Sequence, residues 1–221
     1  MITKYISETL NLPILPEVTD NKFFMFDDGS AELQTCEFFY GLVRRLRPYH
    51  VLETGSYKGI LSSYIGCALE ENTDGILETV EYEKKHLDLA IERWIKLGVQ
   101  NRIVEFLQDC RTFVPKHNYQ LIICDTEPFL RWDEVVRYFP YLDEGGYIFV
   151  HDTPRNLTQG NINPDHPEIK SWPFGDLPQE IINWLKTGEL VKFHFGSARG
   201  LLGFYKKHKD VIVRLGEKSN L

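Results

Sequence analysis

The segment His50–Gly59 limits the possible folds of this chain more than any other part of the sequence. It reads His-Val-Leu-Glu-Thr-Gly-Ser-Tyr-Lys-Gly, and a helical pattern of apolar residues follows over residues 60–69. A β-prone run that passes through a glycine turn into a helix is the nucleotide-binding unit of α/β sheets. Its glycines let the backbone approach the ligand, and the helix N-terminus carries partial positive charge. Gly55 and Gly59 alone also fit an ordinary tight turn, but the whole segment predicts an α/β fold with a nucleotide-containing ligand.

A carboxylate follows this turn at the spacing expected for a ribose. Glu81 lies 22 residues after Gly59, at the end of a second apolar run over residues 75–80. There it can accept hydrogen bonds from two ribose hydroxyls. Dinucleotide sites need Gly-x-Gly-x-x-Gly, whereas here the glycines are four apart and Glu53 precedes them. Because a carboxylate repels a pyrophosphate and favours a sulfonium or an amino group, the pattern indicates a different adenosine cofactor.

The turn Glu53–Gly59 resembles the first motif of the class I S-adenosylmethionine-dependent methyltransferases, which is a strand ending in Asp/Glu-x-Gly-x-x-x-Gly. It is most similar to the version in small-molecule O-methyltransferases of the catechol and macrocin types. The resemblance covers roughly residues 30–207 and implies a Rossmann-like sandwich. Such a fold has a mostly parallel seven-stranded sheet, a C-terminal antiparallel hairpin and helices on both faces. The implied reaction is methyl transfer to a hydroxyl of a small molecule, of sugar or natural-product type.

The resemblance also implies a cofactor site for S-adenosylmethionine. In it Glu81 binds the ribose, and Asp109 accepts a hydrogen bond from the adenine amine. Asp109 fits equally well as the N-cap of a short turn over Arg111–Val114. The full implied set is Glu53, Gly55, Ser56, Tyr57, Gly59, Glu81, Asp109, Cys110 and Asp125.

Two further acids follow the fourth and fifth predicted strands. In the catechol-type enzymes such acids hold Mg²⁺, so the resemblance implies that Asp125 and Asp152 share Mg²⁺ or another divalent cation. His151 and Asp125 are the predicted catalytic residues, and His151 fits as a general base, as a metal ligand or as a strand-end residue bonded to backbone.

The chain departs from the family directly after Asp125. Related enzymes continue with Gly-x-His or carry a lysine three positions on, whereas this chain reads Asp125-Thr126-Glu127-Pro128. Glu127 is one candidate for a replacement ligand. The departure also leaves open a catalytically degenerate member of the fold that acts as a binding or interaction protein.

Strands and helices alternate along the chain, which predicts a parallel sheet with helices on both faces. The predicted strands are Val51–Glu53, Ile76–Glu81, Ile103–Leu107, Leu121–Asp125, Tyr147–His151, Leu190–Phe195 and Gly200–Lys206. The predicted helices include Ile60–Glu70, Lys84–Leu97, Trp132–Leu142 and Leu177–Leu185. Residues 1–29 are interpreted as an N-terminal extension, 30–207 as the methyltransferase domain and 208–221 as a tail. The Pro- and Asn-rich segment 153–176 is expected to shape the acceptor pocket.

Composition argues against nucleic acid, a membrane and zinc as binding partners of this chain. The chain has 221 residues and a net charge of −7, which argues against binding to nucleic-acid phosphates. No run approaches the ~20 apolar residues of a membrane span. Its four cysteines lack Cys-x-x-Cys spacing, so we expect buried thiols rather than a zinc site. We expect a soluble, cytoplasmic enzyme with a small-molecule acceptor. The aromatic run Phe23–Phe26 fits three roles, which are core packing, a cap over a pocket and a contact in a homodimer.

Overall fold

A computed structural model describes residues 1–16, 23–153, 177–195 and 199–209 of the protein. Nearly all of the predicted acceptor-pocket segment, residues 154–176, lies outside these ranges. The chain forms two compact units. The first is Met1–Val114 with Arg199, and the second consists of the described parts of 115–196 and 200–221. None of the described helices is long and apolar enough to cross a bilayer.

Seven strands form the predicted mixed sheet, and two short strands near the N-terminus form a separate antiparallel pair. The strands are β1 (Leu15–Pro16), β2 (Phe24–Met25), β3 (His50–Thr54), β4 (Ile76–Glu81), β5 (Ile103–Leu107), β6 (Tyr119–Cys124), β7 (Leu142–His151), β8 (Leu190–Phe195) and β9 (Leu201–Lys206). The α-helices of the described residues are α1 (Ile2–Leu10), α2 (Leu33–Leu46), α3 (Ile60–Asn72), α4 (Lys84–Leu97), α5 (Arg131–Tyr138) and α6 (Gln179–Thr187).

The first unit contains the parallel strands β5, β4 and β3, in that spatial order. Val51, Leu52 and Leu77 are fully buried, as strands covered on both faces require. β4, β5 and α4 have the bounds that the sequence predicted. Because parallel strands end at the same edge, Glu53 and Glu81 both lie at the carboxyl edge of this sheet.

The N-terminal residues belong to the core of the first unit. Ile6 of α1 is fully buried, and the hydroxyl of Tyr64 in α3 donates a hydrogen bond to Thr3. Within the aromatic run, Phe23 and Phe26 are buried, whereas Phe24 is exposed. Core packing therefore accounts for most of this run.

The second unit has the strand order β6, β7, β9, β8. β6 and β7 are parallel, and β9 pairs antiparallel with both β7 and β8, which confirms the predicted C-terminal hairpin. The predicted helix over Trp132–Leu142 is wrong at its end. α5 stops at Tyr138, a 3₁₀ turn over Phe139–Tyr141 follows, and β7 already begins at Leu142. Pro140 explains the early stop, because proline cannot donate the next helical hydrogen bond.

Candidate active site

The glycine turn of the first unit has a left-handed backbone at three positions. Gly55, Tyr57 and Gly59 have φ angles of +81°, +47° and +76°. Glycine adopts this region freely, whereas Tyr57 is strained there. The N–H of Gly55 donates to the carbonyl of Val80 in β4 at 2.8 Å, which ties the turn to the neighbouring strand.

Gly59 is required by helix packing. A Cβ atom at this position would lie 2.6 Å from the Cβ of Ala90 and 2.9 Å from its Cα. The indole of Trp94 lies equally close, with its Nε1 at 2.9 Å. Close approach of α3 to α4 therefore explains this glycine without a ligand, and its predicted place in the cofactor site stays a prediction.

Glu81 is the carboxylate that the turn holds most directly. Its Oε2 accepts a hydrogen bond from the backbone N–H of Tyr57, and its Oε1 accepts one from the N–H of Glu83, both at 2.8 Å. The residue is 5% exposed. Since each carboxylate oxygen has two acceptor positions, each retains capacity for one ribose hydroxyl.

Ser56 supplies a test of whether the turn fits a cofactor. It is 5% exposed, and its hydroxyl has no hydrogen-bond partner among the described residues. A buried polar atom without a partner costs about 1–3 kcal/mol, so such atoms in native proteins are satisfied by a ligand or by water. The orphaned hydroxyl and the unused acceptor positions of Glu81 both fit a polar ligand with hydroxyl groups.

Glu53 connects the glycine turn to the neighbouring helix and strand. It is buried, and its Oε2 accepts hydrogen bonds from the hydroxyls of Ser62 in α3 and Thr79 in β4. These contacts join three elements at the edge of the sheet. The predicted place of Glu53 in the cofactor site stays a prediction.

Asp109 makes the contacts of a turn cap. Its Oδ1 accepts the backbone N–H of Arg111 at 2.8 Å, and its carbonyl accepts the N–H of Phe113 at 3.0 Å. The Arg111 guanidinium also pairs with the carboxylate. Hydrogen bonds from this side chain and from the Arg111 backbone lower the pKa of Asp109 to about 2. The adjacent Cys110 is buried and, like the other three cysteines, is a thiol outside any disulfide, as predicted.

The second unit brings together Asp125, His151 and Asp152. One ligand atom of each residue lies within 4.8 Å of the others. Among the described residues, this is the group of His, Cys, Asp or Glu side chains that could hold a metal ion. Glu127, the candidate replacement ligand, does not belong to it. The His151 Nδ1 lies 2.9 Å from Asp125 Oδ1 and 3.6 Å from Asp152 Oδ1. Asp152 has a left-handed backbone, with φ +55°.

Arg131 is the residue of this cluster that the sequence interpretation missed. The guanidinium Nη2 donates to Asp125 Oδ1 at 3.2 Å and to Asp152 Oδ2 at 3.0 Å. Its Nε donates to the carbonyl of Thr126 at 2.9 Å, and its Nη1 donates to the carbonyl of His151. The side chain is 4% exposed. The sequence did give an indication of it. Without the lysine after Asp125, the acids Asp125 and Asp152 need a positive side chain from elsewhere in the chain.

The donor types of this cluster match a divalent cation, but their arrangement does not fit one. One oxygen of each carboxylate, Oδ1 of Asp125 and Oδ2 of Asp152, already accepts a hydrogen bond from the Arg131 guanidinium. A divalent cation would therefore share a buried site with a fixed positive charge, which like-charge repulsion disfavours.

Solved structures identify the fold. An S-adenosylhomocysteine-bound methyltransferase of Podospora anserina superposes with a TM-score of 0.66 at 15% identity, covering 94% of each chain. The O-methyltransferase TomG of Streptomyces achromogenes, involved in tomaymycin synthesis and solved with S-adenosylmethionine, gives a TM-score of 0.60 at 14% identity, covering 92% of this chain and 86% of TomG. The protein has the Rossmann-like fold of the class I S-adenosylmethionine-dependent methyltransferases.

The sequence comparison gives a more particular likeness. The chain is 25% identical over 134 residues to a protein of Mycobacterium sp. (strain KMS) named "Putative O-methyltransferase". The match covers 59% of this chain and 60% of that protein, so the chain spans about three fifths of the length of this curated relative. No protein-family profile matches the chain.

Proposed function

We propose that the protein is an S-adenosylmethionine-dependent methyltransferase that methylates a hydroxyl of a small molecule. The observation that carries this proposal is Glu81, a buried strand-end carboxylate fixed by the N–H of Tyr57 with acceptor capacity unused. The likeness to solved methyltransferases and to a protein named as an O-methyltransferase supports the same reaction.

The cofactor belongs to the first unit in this proposal. Glu81 binds the ribose hydroxyls, and the orphaned Ser56 hydroxyl bonds to the methionine portion beside Gly55 and Tyr57. Glu53 keeps the turn in place through its contacts with α3 and β4. Asp109 and Cys110 lie at the end of β5, where an adenine would be bound.

His151 and Asp125 act on the acceptor in this proposal. Bound S-adenosylmethionine supplies a methyl group on an electrophilic sulfonium. His151 would take the proton from the acceptor hydroxyl and so make its oxygen a better nucleophile towards that methyl group. The Asp125 carboxylate, 2.9 Å from Nδ1, favours a proton on that nitrogen and so makes the other ring nitrogen the basic one.

The acceptor class is a sugar or natural-product hydroxyl. TomG, one of the proteins of similar fold, is involved in tomaymycin synthesis. The divalent cation that the resemblance implied at Asp125 and Asp152 is not part of this proposal, since the Arg131 guanidinium already contacts both carboxylates. A cytoplasmic location, a homodimer and the predicted domain bounds also stay predictions.

Calorimetric titration of the full chain with S-adenosylhomocysteine, with NAD as the control ligand, tests the cofactor. We expect micromolar binding of the first ligand and none of the second. Protein that binds is then incubated with methyl-labelled S-adenosylmethionine and a panel of catechols, phenols and sugars. Folded protein that binds neither ligand would overturn the proposal, and cofactor binding without transfer to any acceptor would favour the degenerate member of the fold.

A further inference from the structure

Arg131 sits where a metal-dependent member of this fold would carry its cation. It is the first residue of α5, which follows a 3₁₀ turn over Pro128–Leu130. A positive side chain in the first helical turn is disfavoured by the helix dipole. Its position therefore depends on the carboxylates of Asp125 and Asp152, which it contacts at 3.2 and 3.0 Å.

The guanidinium is held by all three of its nitrogens. Nε and Nη2 both donate to the Thr126 carbonyl, at 2.9 and 2.7 Å, and Nη1 donates to the carbonyl of His151. Thr126 is fixed in turn, because its hydroxyl donates to the buried Glu134 at 2.6 Å. A side chain held in this way is a structural part of the cluster rather than a surface arginine in transient contact.

We propose that Arg131 is the resident cation of the Asp125–His151–Asp152 cluster and takes the place of a divalent metal ion. The inference builds on the proposed function, in which His151 acts as the base. Arg131 is a positioning residue, since it fixes Asp125, and Asp125 orients the imidazole of His151. Methyl transfer by this protein then proceeds without an added metal ion.

The sequence departure after Asp125 agrees with this assignment. The lysine that relatives carry three positions on is replaced by Pro128, and Arg131 follows three positions later. The proline begins the 3₁₀ turn that leads into α5. In this chain the cation beside Asp125 is Arg131, at the start of α5.

Manganese binding tests the proposal with a readout that does not depend on activity. The full chain, treated with EDTA and desalted, is titrated with Mn²⁺, and the free ion is followed by electron paramagnetic resonance. Wild-type protein is expected to show no binding that depends on Asp152. Arg131→Ala is expected to gain one Mn²⁺ site that binds at least tenfold more tightly than any residual binding by the wild type, and Asp152→Asn in that background is expected to remove the gained site.

Two further variants control for charge and folding. Arg137→Ala removes an exposed arginine from the same helix and is expected to gain no site. Arg131→Lys keeps a positive charge and is expected to stay free of Mn²⁺, which gives a second comparison if Arg131→Ala does not fold.

Two outcomes would overturn the assignment. One is Mn²⁺ binding by the wild type that Asp152→Asn abolishes, and the other is a folded Arg131→Ala variant that gains no Asp152-dependent site. Failure of the proposed function is seen separately, in the titration with S-adenosylhomocysteine. Where transfer is measured, EDTA should leave its rate unchanged.

Discussion

The two units treat the carboxylates at their strand ends in different ways. In the first unit the hydrogen bonds to Glu81 come from backbone N–H groups, and Glu53 accepts from hydroxyls. In the second unit Asp125 and Asp152 contact a guanidinium and an imidazole. Neutral donors fix a carboxylate and leave its charge for a ligand, whereas a buried cation neutralises it. A strand-end carboxylate therefore keeps unused acceptor capacity in one unit and takes part in internal charge balance in the other.

Loss of the cation should produce the largest effect. Arg131→Met removes the cation that contacts the carboxylates of Asp125 and Asp152 and leaves the imidazole of His151 beside them, so we expect the free energy of unfolding to fall by about 3–5 kcal/mol. The exposed Arg137→Met on the same helix should change it by less than about 0.5 kcal/mol. Urea denaturation measures both, and equal losses for the two variants would remove the contrast between the units.

In the first unit, steric packing should matter more than charge. Gly59→Ala adds a Cβ at 2.6 Å from Ala90 at a φ of +76°, so we expect a loss of about 2–4 kcal/mol in unfolding free energy. Gly98→Ala is the matched control. Its φ is +72° with nothing within 4 Å of the added Cβ, so only backbone strain of about 1 kcal/mol should remain. Equal losses would show that crowding against α4 contributes nothing.

Glu81 should affect ligand affinity more than folding. Glu81→Gln removes the charge and one acceptor, so we expect the Kd for S-adenosylhomocysteine to rise about tenfold or more, or about 1.4 kcal/mol. The neighbouring Glu83→Gln removes the same charge and should leave the Kd within twofold. Calorimetry on both variants gives the comparison, and an unchanged Kd for Glu81→Gln would exclude its role at the ribose.

The smallest effect concerns Asp109. Its pKa is lowered to about 2 by Arg111, so Arg111→Gln should move it towards the ordinary value of about 3.9. Because the folded-state pKa is depressed, the pair stabilises the protein above the unfolded-state pKa, and this contribution is lost as pH falls towards 2. Solvent screening keeps it below about 1 kcal/mol. Carboxyl NMR titration measures the pKa of Asp109 in both proteins. An unchanged pKa in the variant would mean that the backbone N–H of residue 111 alone is sufficient to lower it.

Local patterns explain what the sequence could predict. The strand–turn–helix at Glu53–Gly59 and the bounds of β4, β5 and α4 follow from short-range periodicity and glycine chemistry. The strand-end acids could be placed because parallel strands end at one edge. These features need no knowledge of distant contacts.

Arg131 could not be placed from local patterns. Asp152 lies 21 residues further along the chain, and the pair forms only when β6, β7 and α5 pack together. The end of α5 was also misjudged, because the apolar period continues past Tyr138 although Pro140 stops the helix. For Gly59 the position was predicted, but its packing against Ala90 is a tertiary contact that no pattern shows.

The left-handed backbone of Asp152 decides which substitutions there are informative. Asparagine enters this conformation readily, whereas alanine does so at a cost of about 1–2 kcal/mol. An Asp152→Ala protein would therefore lose a charge and acquire torsional strain together, and its two defects could not be told apart. Asparagine keeps the local chain path and the side-chain volume, so it isolates the electrostatic part of the role of Asp152.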